Sequence, residues 1–287
     1  MSAQNALPFL FVLLWSTGFI GAKLGLPYAE PLTFLTIRYA LVISLMGAVA
    51  VASRAPWPRD WRTAGHIAVT GLLLHGAYLG GVFTAIKHGL PAGVTALVVG
   101  LQPLLTAVCA GALLGERVGA RQWLGLALGF VGVALVVGGG ARLDTPGGAL
   151  LHMLWPALFA LIGITAGTLY QKRYCPRFDL RTGAVVQFVP SLLITALVAA
   201  HTETMLVEWH GRFIFALLWL VVVLSVGAIS LLNLLIRQGS ATHVASLFYL
   251  TPPVTALIAW ALFDETLSAL AVAGMGIAVT GVWLARR

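Results

Sequence analysis

Long apolar runs, each closed by a charge, a proline or a glycine, recur along the whole chain. They predict helices at 6–25, 32–53, 63–86, 92–114, 119–140, 148–171, 181–200, 210–236, 242–263 and 267–285. Runs of this length and apolarity are what a helix needs to cross a hydrocarbon layer of about 30 Å. Ten spans of about 21 residues consume most of the 287 residues and leave only short connections. The expected fold class is therefore an all-α membrane protein with ten transmembrane helices. No loop is long enough to fold as a separate catalytic or sensory domain.

Composition agrees with that pattern. Hydrophobic residues make up 60% of the chain and charged residues 9%, where a soluble domain carries roughly a quarter charged. The net charge of +8 does not imply nucleic acid, because the 17 lysines and arginines are scattered singly between apolar runs and form neither patch nor tail. With the N-terminus in the cytoplasm, twelve of them fall inside, four outside (Lys23, Lys87, Arg142 and Arg212), and Arg38 lies within the second span. The positive-inside rule thus predicts that both termini are cytoplasmic. Met1 to Ala6 lacks a basic n-region, so the first run reads as an uncleaved helix. Cys109 and Cys175 have no metal-ligand spacing and make no disulfide framework.

Sliding the chain on itself reveals a repeat at an offset of 149. Lys23 falls on Lys172, Thr33 on Thr182, Pro103 on Pro252, Thr106 on Thr255, Glu116 on Glu265, Gly125 on Gly274 and Gly132 on Gly281. This divides the chain into a first five-helix unit, 1–140, and a second, 148–287. Five is odd, so the second unit must cross the membrane in the opposite sense. Two inverted repeats can exchange conformations and open a shared midplane site first to one side and then to the other, which favours a transporter.

Trp15-Ser-Thr-Gly-Phe-Ile-Gly-Ala-Lys23, Pro31-Leu-Thr-Phe followed by Arg38-Tyr39, and the helix ends Leu-Gly-Glu116-Arg and Phe263-Asp-Glu265 resemble the EamA-type drug/metabolite transporters, over nearly the whole chain in two copies. The resemblance implies ten helices in two inverted five-helix halves. It further implies a cavity lined mainly by helices one, three, four, six, eight and nine, and a secondary carrier of the bacterial amino-acid and metabolite exporter type.

Candidate cargo contacts come from polar and aromatic residues inside spans. Proline frees a backbone carbonyl and bends a helix, and interrupted helices at matching places in two halves point to a transport site. Gln102 and Pro103 in helix four and Thr251 and Pro252 in helix nine are such a pair. His75 and Tyr78 share a face of helix three, with Phe83 further along, and Ser246 and Tyr249 share a face of helix nine. Trp15 sits near mid-membrane, away from the interfacial belt where tryptophan is enriched. The other reading for each is core packing. Arg38 could receive a substrate carboxylate, snorkel outward or bond a neighbouring helix; its repeat counterpart, Gln187, is neutral.

All nine acids fall at helix ends or in loops, so exchange of protons for cationic drugs on an intramembrane carboxylate is disfavoured. If protons couple, His75 is the carrier, since its ordinary pKa is near 6.5. There is no catalytic signature such as His-Glu-x-x-His or Gly-x-Ser-x-Gly, and no channel filter is visible. His201, Glu203, Glu208 and His210 cluster in one connector, which reads as a polar loop rather than a metal site.

The expected function is export of small neutral or zwitterionic metabolites, amino acids foremost and aromatic ones included, across the inner membrane by alternating access. Proton-coupled efflux of drug-like compounds is the alternative within transport, and a membrane-embedded enzyme the alternative of another class. No cofactor or metal is expected. The partners expected are a small-molecule substrate and the lipid bilayer, with the protein acting as a monomer and binding no nucleic acid.

Overall fold

The computed structural model describes residues 3–90, 95, 98–138, 147–175, 177–263 and 268–285. Arg142, Asp144, Asp264, Glu265, Arg286 and Arg287, all used in the sequence reading, lie outside the described residues, as does the side chain of Lys23. Among the described residues the chain is helical, apart from a single bridge between Ala29 and Val207. The helices are α1 (Ala3–Gly25), α2 (Pro31–Ala52), α3 (Trp61–Lys87), α4 (Gln102–Leu114), α5 (Ala120–Gly138), α6 (Gly147–Tyr174), α7 (Leu180–Thr202), α8 (Gly211–Gln238), α9 (241–263) and α10 (Ala269–Ala285). Five of them are long and apolar enough to cross a membrane, α2, α3, α7, α8 and the Leu154–Tyr174 stretch of α6.

The helix starts follow ordinary capping chemistry. Asp60 accepts from Thr63 N at 2.7 Å, Asp179 from Arg181 N at 2.9 Å and Ser240 from His243 N at 3.1 Å, each satisfying a first-turn donor. Glu30 precedes Pro31, whose missing N–H costs nothing at a first helical position. Gly115 ends α4 at φ +69°, a left-handed conformation that suits glycine.

Three helices depart from regular α geometry. Leu72–Ala77 within α3 and Leu220–Ala228 within α8 are π-helical, and the repeat offset places the first segment inside the second. In α9, Leu247–Leu250 is a 3-10 turn, and regular helix resumes at Thr251. The chain likewise turns at Gly100 and Leu101 before α4 resumes at Gln102. Gln102 and Thr251 are repeat equivalents, so the interruptions fall at matching positions, just ahead of the prolines.

Packing crosses the two units. α5 lies on α10, α2 on α7, α3 on α6 and α1 on α8, and each pair is antiparallel. The α5–α10 contact is the most extensive. A Cβ on Gly132 would lie 2.4 Å from Ala278 N and 2.7 Å from Gly274 O, and one on Gly125 would lie 2.6 Å from Gly281 O. Gly125 therefore faces the counterpart of Gly132, and Gly132 faces the counterpart of Gly125. Such close backbone approach is how small residues hold helices together where lipid supplies no hydrophobic drive. Large apolar side chains, among them Leu193, Leu197, Phe215 and Val279, face outward and stay exposed. Trp57, Trp61, Trp155, Trp209 and Trp283 are exposed as well, as side chains that meet lipid or its interface are.

The two ends of the bundle differ. At one end Glu203, expected in a polar connector, caps α2 by accepting from Leu32 N (2.9 Å), Thr33 N (2.7 Å) and Thr33 Oγ1 (2.7 Å). His210 stacks on Tyr28 there. Glu30 accepts from Lys87 Nζ, from Thr204 N at 2.6 Å and from Thr204 Oγ1 at 2.7 Å. These donors, Lys87 foremost, hold its pKa down to about 2, against an ordinary 4.5. A depressed carboxylate stabilises the fold above its unfolded pKa and loses that contribution as pH falls toward the folded value. The melting temperature in detergent is therefore expected to fall between pH 4.5 and about pH 2. Glu30→Gln should flatten part of that slope; an unchanged slope would show that Glu30 contributes nothing to it.

At the opposite end, Lys172 Nζ donates to Ile236 O at 2.9 Å and to Gly239 O, and Arg173 Nη1 donates to Leu113 O. Glu116 accepts from Ala241 N at 2.9 Å and from Thr242 Oγ1 at 3.2 Å. The ends of α4, α6, α8 and α9 are thereby tied together. Arg181 and Asp179 pair at 2.7 Å beside them.

Candidate transport cavity

A cavity of about 50 Å³ lies between α1, α3, α6 and α8, with Arg38 of α2 at its edge. Trp15, His75, Tyr78 and Phe83, all singled out from sequence, line it together. Trp15 and Tyr78 stack with ring centroids 6.3 Å apart and planes 12° apart. Phe11 and Phe248 hold Trp15 from behind at 5.2 and 5.3 Å, and Phe83 packs on Phe34 at 5.9 Å. This is an aromatic wall fixed by its own neighbours.

The polar part of the lining is sparse. His75 lies in the π segment of α3, where the altered hydrogen-bond spacing widens the helix. Its ring stacks on Phe188 at 4.0 Å, its carbonyl accepts from Tyr39 Oη at 2.8 Å, and neither ring nitrogen has a hydrogen-bond partner. The Gln187 amide lies beside the imidazole but does not meet it in hydrogen-bond geometry. Arg38 is buried, and its Nε donates to Ser225 Oγ at 2.9 Å. It does not snorkel. Leu220 and Leu224, from the π segment of α8, complete the far wall.

The remaining sequence candidates sit elsewhere. Tyr249 is fully buried, and its ring fills the space beside Gly129 of α5. Ser246 bonds back to His243 O at 2.8 Å. Gln102 Nε2 donates to Thr106 Oγ1 at 3.3 Å within α4, while Thr251 O accepts from Ser16 Oγ at 3.3 Å, joining α9 to α1. Gln102, Pro103, Ser246, Tyr249, Thr251 and Pro252 are not among the residues lining this cavity. Sequence reasoning passed over Phe188, Ser225 and Leu224; the offset that maps His75 onto Leu224 was the available signal for the last.

Among the described residues the cavity approaches the end where Glu30 lies. Ile86 belongs both to its lining and to a wider opening of about 430 Å³ between Tyr28, Glu30, Lys87 and Glu208. Toward the other end, Gln171 Nε2 donates to Asn233 Oδ1 at 2.9 Å, both side chains buried, ahead of the Lys172 and Glu116 contacts. Among the described residues no group of histidine, cysteine or acidic side chains could hold a metal.

A helical bundle with an apolar outer surface and an aromatic cavity that nears one end of the bundle has the build of a membrane transport protein. Family comparison makes this definite: residues 5–138 and 152–287 each match the EamA-like transporter family, and the chain belongs to it. It is 27% identical over 278 residues to the inner membrane transporter YedA of Escherichia coli (strain K12), covering 96% of this chain and 88% of that protein. It is 26% identical over 287 residues to a Salmonella typhimurium (strain LT2) protein named "Probable amino-acid metabolite efflux pump", covering 97% of this chain and 93% of that one. A crystal structure with 20% identity superposes with a TM-score of 0.81 over 99% of this chain and 96% of that one, a likeness of fold alone.

Proposed function

We propose that the protein is a secondary transporter that exports small neutral or zwitterionic metabolites, amino acids foremost and aromatic ones among them, across the bacterial inner membrane. The observation that carries this reading is the cavity of Trp15, His75, Tyr78 and Phe83, where both units meet and which nears the Glu30 end of the bundle. Flat rings suit a small apolar or aromatic body, and the imidazole nitrogens offer it a polar contact. The name of the Salmonella typhimurium relative supports the same class of cargo.

Ten spans in two inverted five-helix repeats are supported by the antiparallel pairs α1–α8, α2–α7, α3–α6 and α5–α10, each of which joins one unit to the other. The protein alternates access as a monomer: the Lys172, Arg173 and Glu116 contacts close the cytoplasmic end while the Glu30 end faces out, and the tie is exchanged when the carrier turns. Lys172, Arg173, Arg181 and Arg237 share the closed end, which makes it cytoplasmic, with both chain termini, by the positive-inside rule.

Counterflow of labelled phenylalanine and neutral amino acids in proteoliposomes tests this, with and without an imposed pH gradient. Counterflow indifferent to the gradient identifies a facilitator. Accumulation driven by the gradient identifies proton coupling, and His75→Gln should then abolish it. No counterflow of any amino acid would overturn the proposed cargo.

A further inference from the structure

We propose that Arg38 is the receptor for a carboxylate on the cargo, and that its charge is the means by which this carrier refuses organic cations. The inference rests on the transport reading above and concerns the same cavity.

A guanidinium cannot be discharged in a protein, and inside a membrane bundle a charge is retained only where something answers it. Arg38 lies two turns into α2, is 3% exposed, and borders the cavity. Among the described residues that line this space, the polar and aromatic side chains besides Arg38 are Trp15 from α1 and His75, Tyr78 and Phe83 from α3, and the rest are glycine or aliphatic. None is an anion. The described acids sit at helix ends and in connectors, where Glu30, Asp60, Glu116, Asp179 and Glu203 already accept hydrogen bonds.

The polar partner that Arg38 does have, Ser225 Oγ, takes its Nε. That contact orients the side chain and, among the described residues, takes one of the five guanidinium donors. A carboxylate fits the remaining fork, because two parallel N–H donors match its two oxygens.

The second observation is independent of the charge. His75 lines the same cavity at 2% exposure with both ring nitrogens unpartnered. Buried polar atoms seldom stay unsatisfied; the Gln187 amide beside the ring can answer one nitrogen, which leaves the other for a polar guest. The repeat counterpart of Arg38 is Gln187, which lies beside His75 with both amide atoms unpartnered. The fixed charge is therefore on one side of the cavity only. Cargo enters with its carboxylate toward α2 and its apolar body along the Trp15–Tyr78 stack. A cation meets an uncompensated positive charge instead, and like charges at close range exclude wrong partners.

The test is ligand-induced tryptophan fluorescence change of the purified protein, followed by counterflow in proteoliposomes. The probes are phenylalanine, phenylpropionate, phenylalaninamide and phenethylamine at mildly acidic pH, where the last two are cations. Wild-type protein is expected to bind phenylalanine and phenylpropionate at least about tenfold more tightly than either cation, a tenfold ratio being 1.4 kcal/mol. Arg38→Gln should erase the difference, and Arg38→Lys, a point charge in place of a fork, should keep part of it. Ser225→Ala, which removes only the orienting contact, should weaken carboxylate binding while leaving the cations rejected.

Equal binding of phenylalanine and its amide by the wild-type protein would overturn the inference without recourse to any variant. Phenylalanine counterflow competed equally by the amide would do the same and leave the transport reading intact. Binding of phenylpropionate with no counterflow of any amino acid would overturn the amino-acid cargo and sustain the role of Arg38.

Discussion

Gly132→Val is expected to leave little folded protein. At that position even a single Cβ would lie 2.4 Å from Ala278 N and 2.7 Å from Gly274 O. These are backbone atoms on a neighbouring helix, so no rotamer change relieves the clash, and α5 and α10 must move apart along their length. Inserting atoms into a well-packed core costs about 1–3 kcal/mol, and separating two helices at their closest approach belongs at or beyond the top of that range. Gly281→Val should behave alike, since its Cβ would lie 2.3 Å from Gly129 N. Gly47→Ala on α2, which meets nothing within 4 Å, should purify as well as the parent. The measurement is the yield of monodisperse protein on size exclusion together with its melting temperature. A normal yield of Gly132→Val would mean that the α5–α10 contact is looser than described.

Tyr78→Ala and Trp15→Ala are expected to lower counterflow of aromatic amino acids at least tenfold, or about 1.4 kcal/mol of binding. Each ring forms one side of the Trp15–Tyr78 stack, and buried aromatic anchors commonly carry most of a binding energy. Both already edge an open cavity, so truncation widens an existing space where water can enter rather than opening a dry void elsewhere. Folded protein should therefore survive, as judged by an unchanged elution profile. Unchanged counterflow in both variants would remove the aromatic wall from the site.

Much of the helical layout was legible from the chain because hydropathy acts locally. An apolar run long enough to span has few other stable fates, and the expected boundaries fall near the observed ones, as with 32–53 against Pro31–Ala52 and 63–86 against Trp61–Lys87. The interruptions before Gln102 and Thr251 were legible from the prolines that follow them. The π segments were not. Neither carries a proline, and which carbonyl each N–H reaches there depends on the helices packed alongside.

Side-chain destinations divide in the same way. Helical spacing put His75 and Tyr78 on one face, and that face borders the cavity with Trp15. Identical reasoning put Ser246 and Tyr249 together, yet α9 turns Tyr249 onto Gly129. Spacing states which residues share a face but not which neighbour the face meets. Arg38 shows the limit most directly. The chain alone left it three roles; the structure shows it bonding a neighbouring helix through Ser225, 187 residues away, with no acid among the described residues that line the cavity.

What the sequence by itself determined is a membrane-embedded, twofold-repeated helical chain of the EamA-like kind, because apolar run length, scattered basic residues and a constant offset of 149 are properties of residue order. Which helices meet, which polar groups stay unpartnered, and on which side of the cavity the single guanidinium stands were decided only in the tertiary structure. The physical reason is that those properties belong to pairs of residues far apart in the chain, brought together where glycine lets one helix backbone rest on another.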